Sequence, residues 1–339
     1  MSYRTSIGLD VHARSIAAAA FVPETGKIIQ RRFEYDPASV IEWTRGLPAP
    51  VQLVYESGPT VFDLARKLID AGLECKVGAV SKMLRPTGDR IKTDKRDAVF
   101  LARMLAVENV VEVHVPTPSQ EAARILTRAH EDARKDLMRA RHLLSKFLLR
   151  KGIAYEKGRS AWTKTHRKWL SSLSFDDPCE RLVFDEYLAG VITMEQRCDR
   201  LDAAIGKLSA TPGLAGVVNR PRCIRGISTI TALSVLAEIG VFSRFPNARS
   251  FMSCLGLVPS EGSSGETVSR GGITRAGNGH VRTLLTEAAW HTARPYNPAN
   301  ATALEDTRHA PAGAADLAAE ANRRLHARYL HLRSRGYQT

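Results

Sequence analysis

The sequence predicts an α/β domain at the amino end, followed by two largely helical regions. Short apolar runs alternate with helical patterns up to residue 115, and a long apolar seam with helical spacing begins after residue 118. Beyond residue 213, small-residue turns separate further apolar helices. The chain of 339 residues is 44% apolar, which is enough for more than one hydrophobic core. We therefore predict three regions: 1–115, 116–213 and 214–339.

The first region is predicted to form an antiparallel meander followed by βα units. Its first three strands are separated by short turns, which favours antiparallel pairing, and the later strands alternate with helices, which favours parallel pairing. This order is typical of an RNase H-like fold, in which strands one and four are neighbours. The predicted strands are 5–10, 15–22, 27–33, 51–56, 74–79 and 111–115, and the predicted helices are 37–46, 60–71, 80–85 and 94–107.

Four carboxylates in this region are candidate metal ligands. Asp10 lies inside an apolar strand, Glu56 ends the fourth strand, and Asp94 and Asp97 share one face at the start of a helix. Any one of them could be structural, because Asp caps helices and favours their amino ends. Together they suit a hard divalent cation, Mg²⁺ or Mn²⁺, and two such ions can hold a phosphodiester for in-line displacement.

The middle region is predicted to form a long amphipathic helix with a basic surface. Residues 121–170 contain 14 Lys and Arg against 5 Asp and Glu, and residues 321–339 contain five Arg and no acid, so these segments account for the net charge of +14. Such a surface indicates a polyphosphate partner, although a solvated helix face is the alternative. An anionic membrane fits poorly, since the segments lack a large apolar face. The candidate contacts on the helix are Arg124, Arg128, Arg134, Lys135, Arg139 and Arg141.

The other face of this helix carries apolar residues at spacings of three and four, which suit a coiled-coil partner helix. A second helical stretch is predicted over residues 180–209. The seam consists of Leu126, Ala129, Ala133, Leu137, Ala140, Leu144 and Phe147.

The third region is predicted to be mostly helical, with a helix-hairpin-helix-like segment over residues 224–240. A Ser/Gly-rich run at 260–267 precedes basic, glycine-rich sequence. Alone, this run is an ordinary flexible loop. A serine hydroxyl close to cations is also what phosphoryl chemistry on serine requires. The neighbouring cationic candidates are Arg270, Arg275, His280 and Arg282.

These segments together resemble the DEDD transposases of bacterial insertion sequences, the bridge-RNA-guided serine recombinases. The motifs GLDVH at 8–12, YESGP at 55–59 and KTDKRDA at 92–98 match the three segments of the RuvC-like catalytic domain of that family. Residues 224–240 and the block from 256 to 278 match its carboxyl-terminal transposase domain. The similarity covers nearly the whole chain.

The resemblance implies a composite active site. Asp10, Glu56, Asp94 and Asp97 would bind Mg²⁺ near the scissile phosphate, and Ser264 would attack and become covalently linked to DNA. The adjacent Ser263 stays an alternative nucleophile. The implied partners are donor and target double-stranded DNA, a guide (bridge) non-coding RNA, and further copies of the chain in a dimer or tetramer. Family members usually continue past the arginine-rich helix into another short helix.

Three rival functions remain open at this point. A RuvC-like, structure-selective nuclease would use the four acids with water as nucleophile, without the serine. A sugar-kinase or actin-like ATPase would need a glycine-rich phosphate loop after the first strand, which residues 11–14 do not supply. A non-catalytic nucleic-acid-binding protein would not need all four acids. The five cysteines lack CxxC spacing, and no apolar run is long enough to span a membrane, so a reduced, cytoplasmic, nucleoid-associated protein is expected.

Overall fold

The computed structural model describes residues 4–56, 58, 61–79, 94–156, 160–262 and 267–337, which form a mixed α/β arrangement with many helices. Contacts divide the chain into two compact units, Met1–Thr117 and Pro118–Thr339. None of the helices in the described ranges combines the length and the apolar character that crossing a bilayer requires.

The first unit contains a five-stranded sheet with the order β3-β2-β1-β4-β5. The first three strands form an antiparallel meander, and β1 pairs in parallel with β4, which pairs in parallel with β5. This mixed sheet is compatible with the predicted RNase H-like domain. Its elements are β1 (Thr5–Val11), β2 (Ser15–Val22), β3 (Lys27–Glu34), α1 (Pro37–Arg45), β4 (Val51–Glu56), α2 (Val61–Asp70), β5 (Glu74–Gly78) and α3 (Asp94–Ala106).

The predicted strand 111–115 is wrong. The segment forms only an isolated antiparallel bridge between Gly78 and Glu112, flanked by two hydrogen bonds. Val113 and Val115 still pack against the core, which explains the strand-like alternation of the sequence. The predicted helix 80–85 lies outside the described residues.

The second unit is built from helices around α4 (Pro118–Arg150) and α6 (Pro178–Ser209). These two helices run antiparallel, because Ala123 lies near Ile205 at one end and Leu144 near Phe184 and Val191 at the other. The apolar seam of α4 is therefore covered by a helix of the same chain. The other helices are α5 (Lys164–Ser171), α7 (Pro212–Arg222), α8 (Thr229–Ile239), α9 (Ala248–Cys254), α10 (Gly279–Ala289), α11 (Ala301–Thr307) and α12 (Ala314–Ser334).

A small two-stranded hairpin interrupts these helices. Its strands β6 (Pro259–Glu261) and β7 (Arg270–Ile273) are antiparallel. Ser263 and Ser264, in the middle of the Ser/Gly run between the two strands, lie outside the described residues.

Candidate active site

Strand alternation directs Asp10 towards α3. Ile7 and Leu9 point into the core that contains α1 and α2, so Gly8 and Asp10 face the opposite side of the sheet. Helix α3 packs on that side, and its first turn carries Asp94 and Asp97. One face of the sheet therefore brings an acid of β1 to the acids of α3.

The absence of a side chain at Gly8 allows this close approach. A Cβ atom built on Gly8 would lie 2.1 Å from the carbonyl oxygen of Ala98 and 2.5 Å from the amide nitrogen of Ala102. Both contacts are with helix backbone, which cannot rotate out of the way. The backbone of α3 thus lies directly against β1, two residues before Asp10.

Three side chains converge where β1 ends. His12 Nε2 lies 3.2 Å from Asp10 Oδ2 and 3.5 Å from Asp94 Oδ1, and Arg32 Nη2 lies 3.9 Å from Asp94 Oδ2. One ligand atom each from Asp10, His12 and Asp94 lies within 4.8 Å of the others. Two carboxylates and an imidazole at this separation are a donor set that fits a divalent cation.

The pKa of Asp10 reflects its burial and the charges of the neighbouring side chains. Burial raises the pKa of Asp10 above its ordinary value, the charge and hydrogen bond of His12 oppose the rise, and the charges of Asp94 and Asp97 add to it. The influence of Asp97 on Asp10 places it in the same electrostatic neighbourhood, although it is outside the three-residue group. Neighbouring like charges of this kind are relieved by a cation.

Glu56 lies at the same edge of the sheet, outside the three-residue group. The parallel pairing of β1 and β4 ends at Leu9 and Tyr55, so Asp10 and Glu56 are the next residues on the two strands. By alternation with Val54, which packs against Leu101, Glu56 is on the α3 side. Its side chain is exposed.

His12 is the residue of this cluster to which the sequence analysis gave no role. It follows Asp10 by two positions, which keeps both on one side of the chain, and its imidazole touches both Asp10 and Asp94. The alternation rule that identified the strand could also have identified this pairing.

Some of the predicted nucleic-acid contacts have partners inside the second unit. Arg124 donates to the carbonyl oxygens of Ala237 and Glu238, and Arg128 binds the carboxylate of Glu238 with two hydrogen bonds. Arg141 binds Glu195 and stacks over Trp162. These contacts hold α4 against α8 and α6, so a structural role explains these three cations.

The remaining cations differ in exposure and in partners. Arg282 donates to the carbonyl oxygens of Leu255, before the hairpin, and Arg275, after it, which ties α10 to the chain on both sides of the hairpin. Arg270 lies 3.7 Å from Glu261 across the hairpin. Lys135 pairs with Glu131 at 3.0 Å. Among the described residues, the exposed side chains of Arg134, Arg139 and Arg275 form no ion pair.

Comparisons with known proteins show which family the chain resembles. A family model of DEDD transposases of the IS110 type, described as "Transposase", matches residues 7–152, which include all four acids. A second model, described as "Transposase IS116/IS110/IS902 family", matches residues 222–304. A protein named transposase y4qE from Sinorhizobium fredii is 35% identical over 97% of this chain and 82% of its own length.

The chain belongs to the IS110 family of transposases.

Two further relatives support the assignment over most of their length. The transposase for insertion sequence element IS1533 from Leptospira borgpetersenii is 28% identical over 98% of this chain and 97% of its own. A probable family 20 transposase from Pseudomonas aeruginosa is 27% identical over 84% of this chain and 82% of its own. This IS110-family protein is accordingly a DNA transposase of insertion sequences, and membership of a DEDD family implies the use of a divalent metal.

Proposed function

We propose that this transposase, guided by a non-coding RNA, cuts and rejoins DNA through the acid cluster of the first unit and Ser264 of the second. The observation that carries the proposal is the convergence of Asp10 and Asp94 around His12, which supplies carboxylates for a divalent cation at one edge of the sheet. The proposed domain roles are catalytic for 1–115, dimerisation and RNA binding for 116–213, and nucleophile delivery for 214–339.

Asp10 and Asp94 would hold the cation, with Glu56 and Asp97 close to the same edge of the sheet and His12 as a nitrogen donor. Mg²⁺, or Mn²⁺ in its place, would supply positive charge against the scissile phosphate. The chain's own role is to keep the carboxylates together, which the contact of Gly8 with α3 achieves.

In the proposed reaction, the Ser264 hydroxyl attacks phosphorus. A bond from Oγ to phosphorus forms, the bond from phosphorus to the leaving sugar oxygen breaks, and the hydroxyl proton is passed on so that the leaving oxygen is released as a hydroxyl group. Arg270 and Arg275 are the exposed cations of this region that could stabilise the developing charge. Rejoining reverses the step with another DNA hydroxyl.

The proposal includes an oligomer in which the acids of one subunit act with the serine of another, as the family resemblance implies. The basic segments 121–170 and 321–339 support binding of DNA and guide RNA, because they concentrate the whole excess positive charge.

A cleavage assay with Asp10→Asn tests the catalytic assignment. With DNA that carries the ends of the element, the substitution should lower the cleavage rate by at least ~100-fold, since loss of even a group that only supports a metal ligand costs ~10–100-fold. EDTA should have the same effect on the wild type. Asp70→Asn, at an exposed position on α2, is the matched control and should retain full activity. Wild-type cleavage that persists in EDTA would refute the metal site.

A further inference from the structure

A groove in the second unit combines cations with exposed apolar side chains. It lies between α4, from Glu131 to Lys146, and α10, from His280 to Glu287, and encloses about 680 Å³. We call it the basic groove. On α4 it follows one side of the helix from Arg134 to Lys146, which is ~18 Å along the axis. This length can accommodate several phosphates of an extended strand.

The charge of the basic groove is positive on balance, because Arg134, Lys135, Arg139 and Lys146 line it against Glu131 and the exposed Glu287. Glu131, at one end, is already neutralised, because Lys135 lies 3.0 Å from one carboxylate oxygen and His280 Nδ1 lies 2.5 Å from the other. Burial tends to raise the pKa of Glu131, but the hydrogen bond from Lys135 and the charge of His280 outweigh it and lower the pKa.

Three cations along the rest of the groove are open to solvent. Arg134, Arg139 and Lys146 are exposed, and within the described ranges none of them forms an ion pair. They contrast with Arg124, Arg128 and Arg141 on the same helix, which are bound to α8 and α6. The helix therefore divides its cations between structural contacts and an open groove.

Apolar side chains lie between these cations. Met138 is 49% exposed and Leu143 is 46% exposed, and both line the groove together with Leu284 of α10. A double helix presents phosphates and sugars at its rim, with its base faces stacked inside. An unpaired strand also presents base faces, which can cover apolar side chains while its phosphates meet the cations.

We propose that the basic groove binds an unpaired nucleic-acid strand, with phosphates on Arg134, Arg139 and Lys146 and bases against Met138, Leu143 and Leu284. The inference rests on the proposed function, of which it specifies one partner surface. A second copy of the chain is a poor occupant of this groove, since its two strongly charged segments, 121–170 and 321–339, are themselves basic.

The proposal is tested by measuring how the full-length protein binds labelled 20-nucleotide single strands. Binding is monitored by fluorescence anisotropy in the presence of EDTA. No cleavage is required in EDTA, so failure of the metal and serine chemistry would leave this result unaffected. The double variant Arg139→Gln/Lys146→Gln should weaken binding ~10-fold and reduce the slope of log affinity against log salt by about 1.4, at about 0.7 for each lost phosphate contact. The double variant Arg200→Gln/Lys207→Gln removes the same charge from exposed positions of α6 and should change affinity less than ~2-fold.

The arms of the experiment compare a ribose strand, a deoxyribose strand, duplex DNA and an acidic peptide. Loss confined to the groove variant and to single strands supports the proposal, and the two sugars show which strand is preferred. Equal losses for the two double variants, equal losses on duplex and single strand, or full competition by the peptide would overturn it. Photo-crosslinking of a 4-thiouridine strand to the wild type should map to 134–146 and 280–287. Crosslinks confined to other segments would also overturn it.

Discussion

Gly8 sets the distance between α3 and the strand that carries Asp10. Gly8→Ala would place a methyl group 2.1 Å from the carbonyl oxygen of Ala98, so the helix must move and its acids with it. We expect destabilisation of ~1–3 kcal/mol from overpacking and a large loss of DNA cleavage. Thermal unfolding measures the loss of stability, and a cleavage assay measures the loss of activity.

A matched control is Gly190→Ala, at a helical position where the added methyl group meets no atom within 4 Å. This change should leave cleavage unaltered and stabilise the helix by up to ~1 kcal/mol. Full activity of Gly8→Ala would show that the approach of α3 does not position the acids.

His12 is expected to influence which metal the site prefers. Imidazole is a better ligand for Mn²⁺ than for Mg²⁺, which prefers oxygen donors. His12→Ala should therefore weaken Mn²⁺ binding more than Mg²⁺ binding, by ~10-fold or more for Mn²⁺. Calorimetric titration of each ion measures this without catalysis. Equal weakening for both ions would instead favour an electrostatic role of His12 beside Asp10 and Asp94.

At the scale of elements, Glu238 joins three helices. Its side chain, only 2% exposed, receives two hydrogen bonds from Arg128 of α4 and one of 2.8 Å from Asn278, whose Oδ1 caps α10. Burial raises the pKa of Glu238, but these donors outweigh it and hold the pKa below its ordinary value. The ionised carboxylate therefore stabilises the junction of α4, α8 and α10.

Glu238→Gln should destabilise the protein by ~2 kcal/mol at neutral pH, since hydrogen bonds to a charged group are lost. Because the folded pKa is lowered, this contribution is complete above the unfolded value of 4.5 and is lost as pH falls through the folded value. Unfolding curves at several pH values should thus converge for variant and wild type in acid. Glu320→Gln, exposed on α12, is the control. A difference that does not vary with pH would contradict the ion pair.

The elements themselves were largely predictable from local patterns. The five strands of the sheet agree with the predicted ranges to within one residue, and the long helix and its apolar seam follow from spacings of three and four. The structure of the segment 111–115 was not predictable in this way, because Val113 and Val115 are buried in alternation as in a strand. The backbone nevertheless makes only one bridge. Alternation reports which side chains are buried, and it does not report how many backbone hydrogen bonds form.

At the scale of the molecule, the sequence predicted the acids better than their partners. Asp10 and Asp94 could be brought together by strand order and helix face. His12 was overlooked, although its position two residues after Asp10 puts both on one side of the chain. The division of the α4 cations between structure and surface also needed the fold, since Arg128 and Arg139 look alike until Glu238 is located. The assignment of Ser264 stays a prediction, as it lies outside the described residues.

A covalent protein–DNA adduct tests most directly whether a serine acts together with the acid cluster. Wild-type protein incubated with labelled element-end DNA and Mg²⁺ should give an adduct that survives denaturant and is digested by protease. Asp10→Asn and Ser264→Ala should each abolish the adduct while nucleic-acid binding persists, and Ser263→Ala should retain it. Cleavage by the wild type without any adduct would contradict the account and favour a metal-dependent nuclease that uses water.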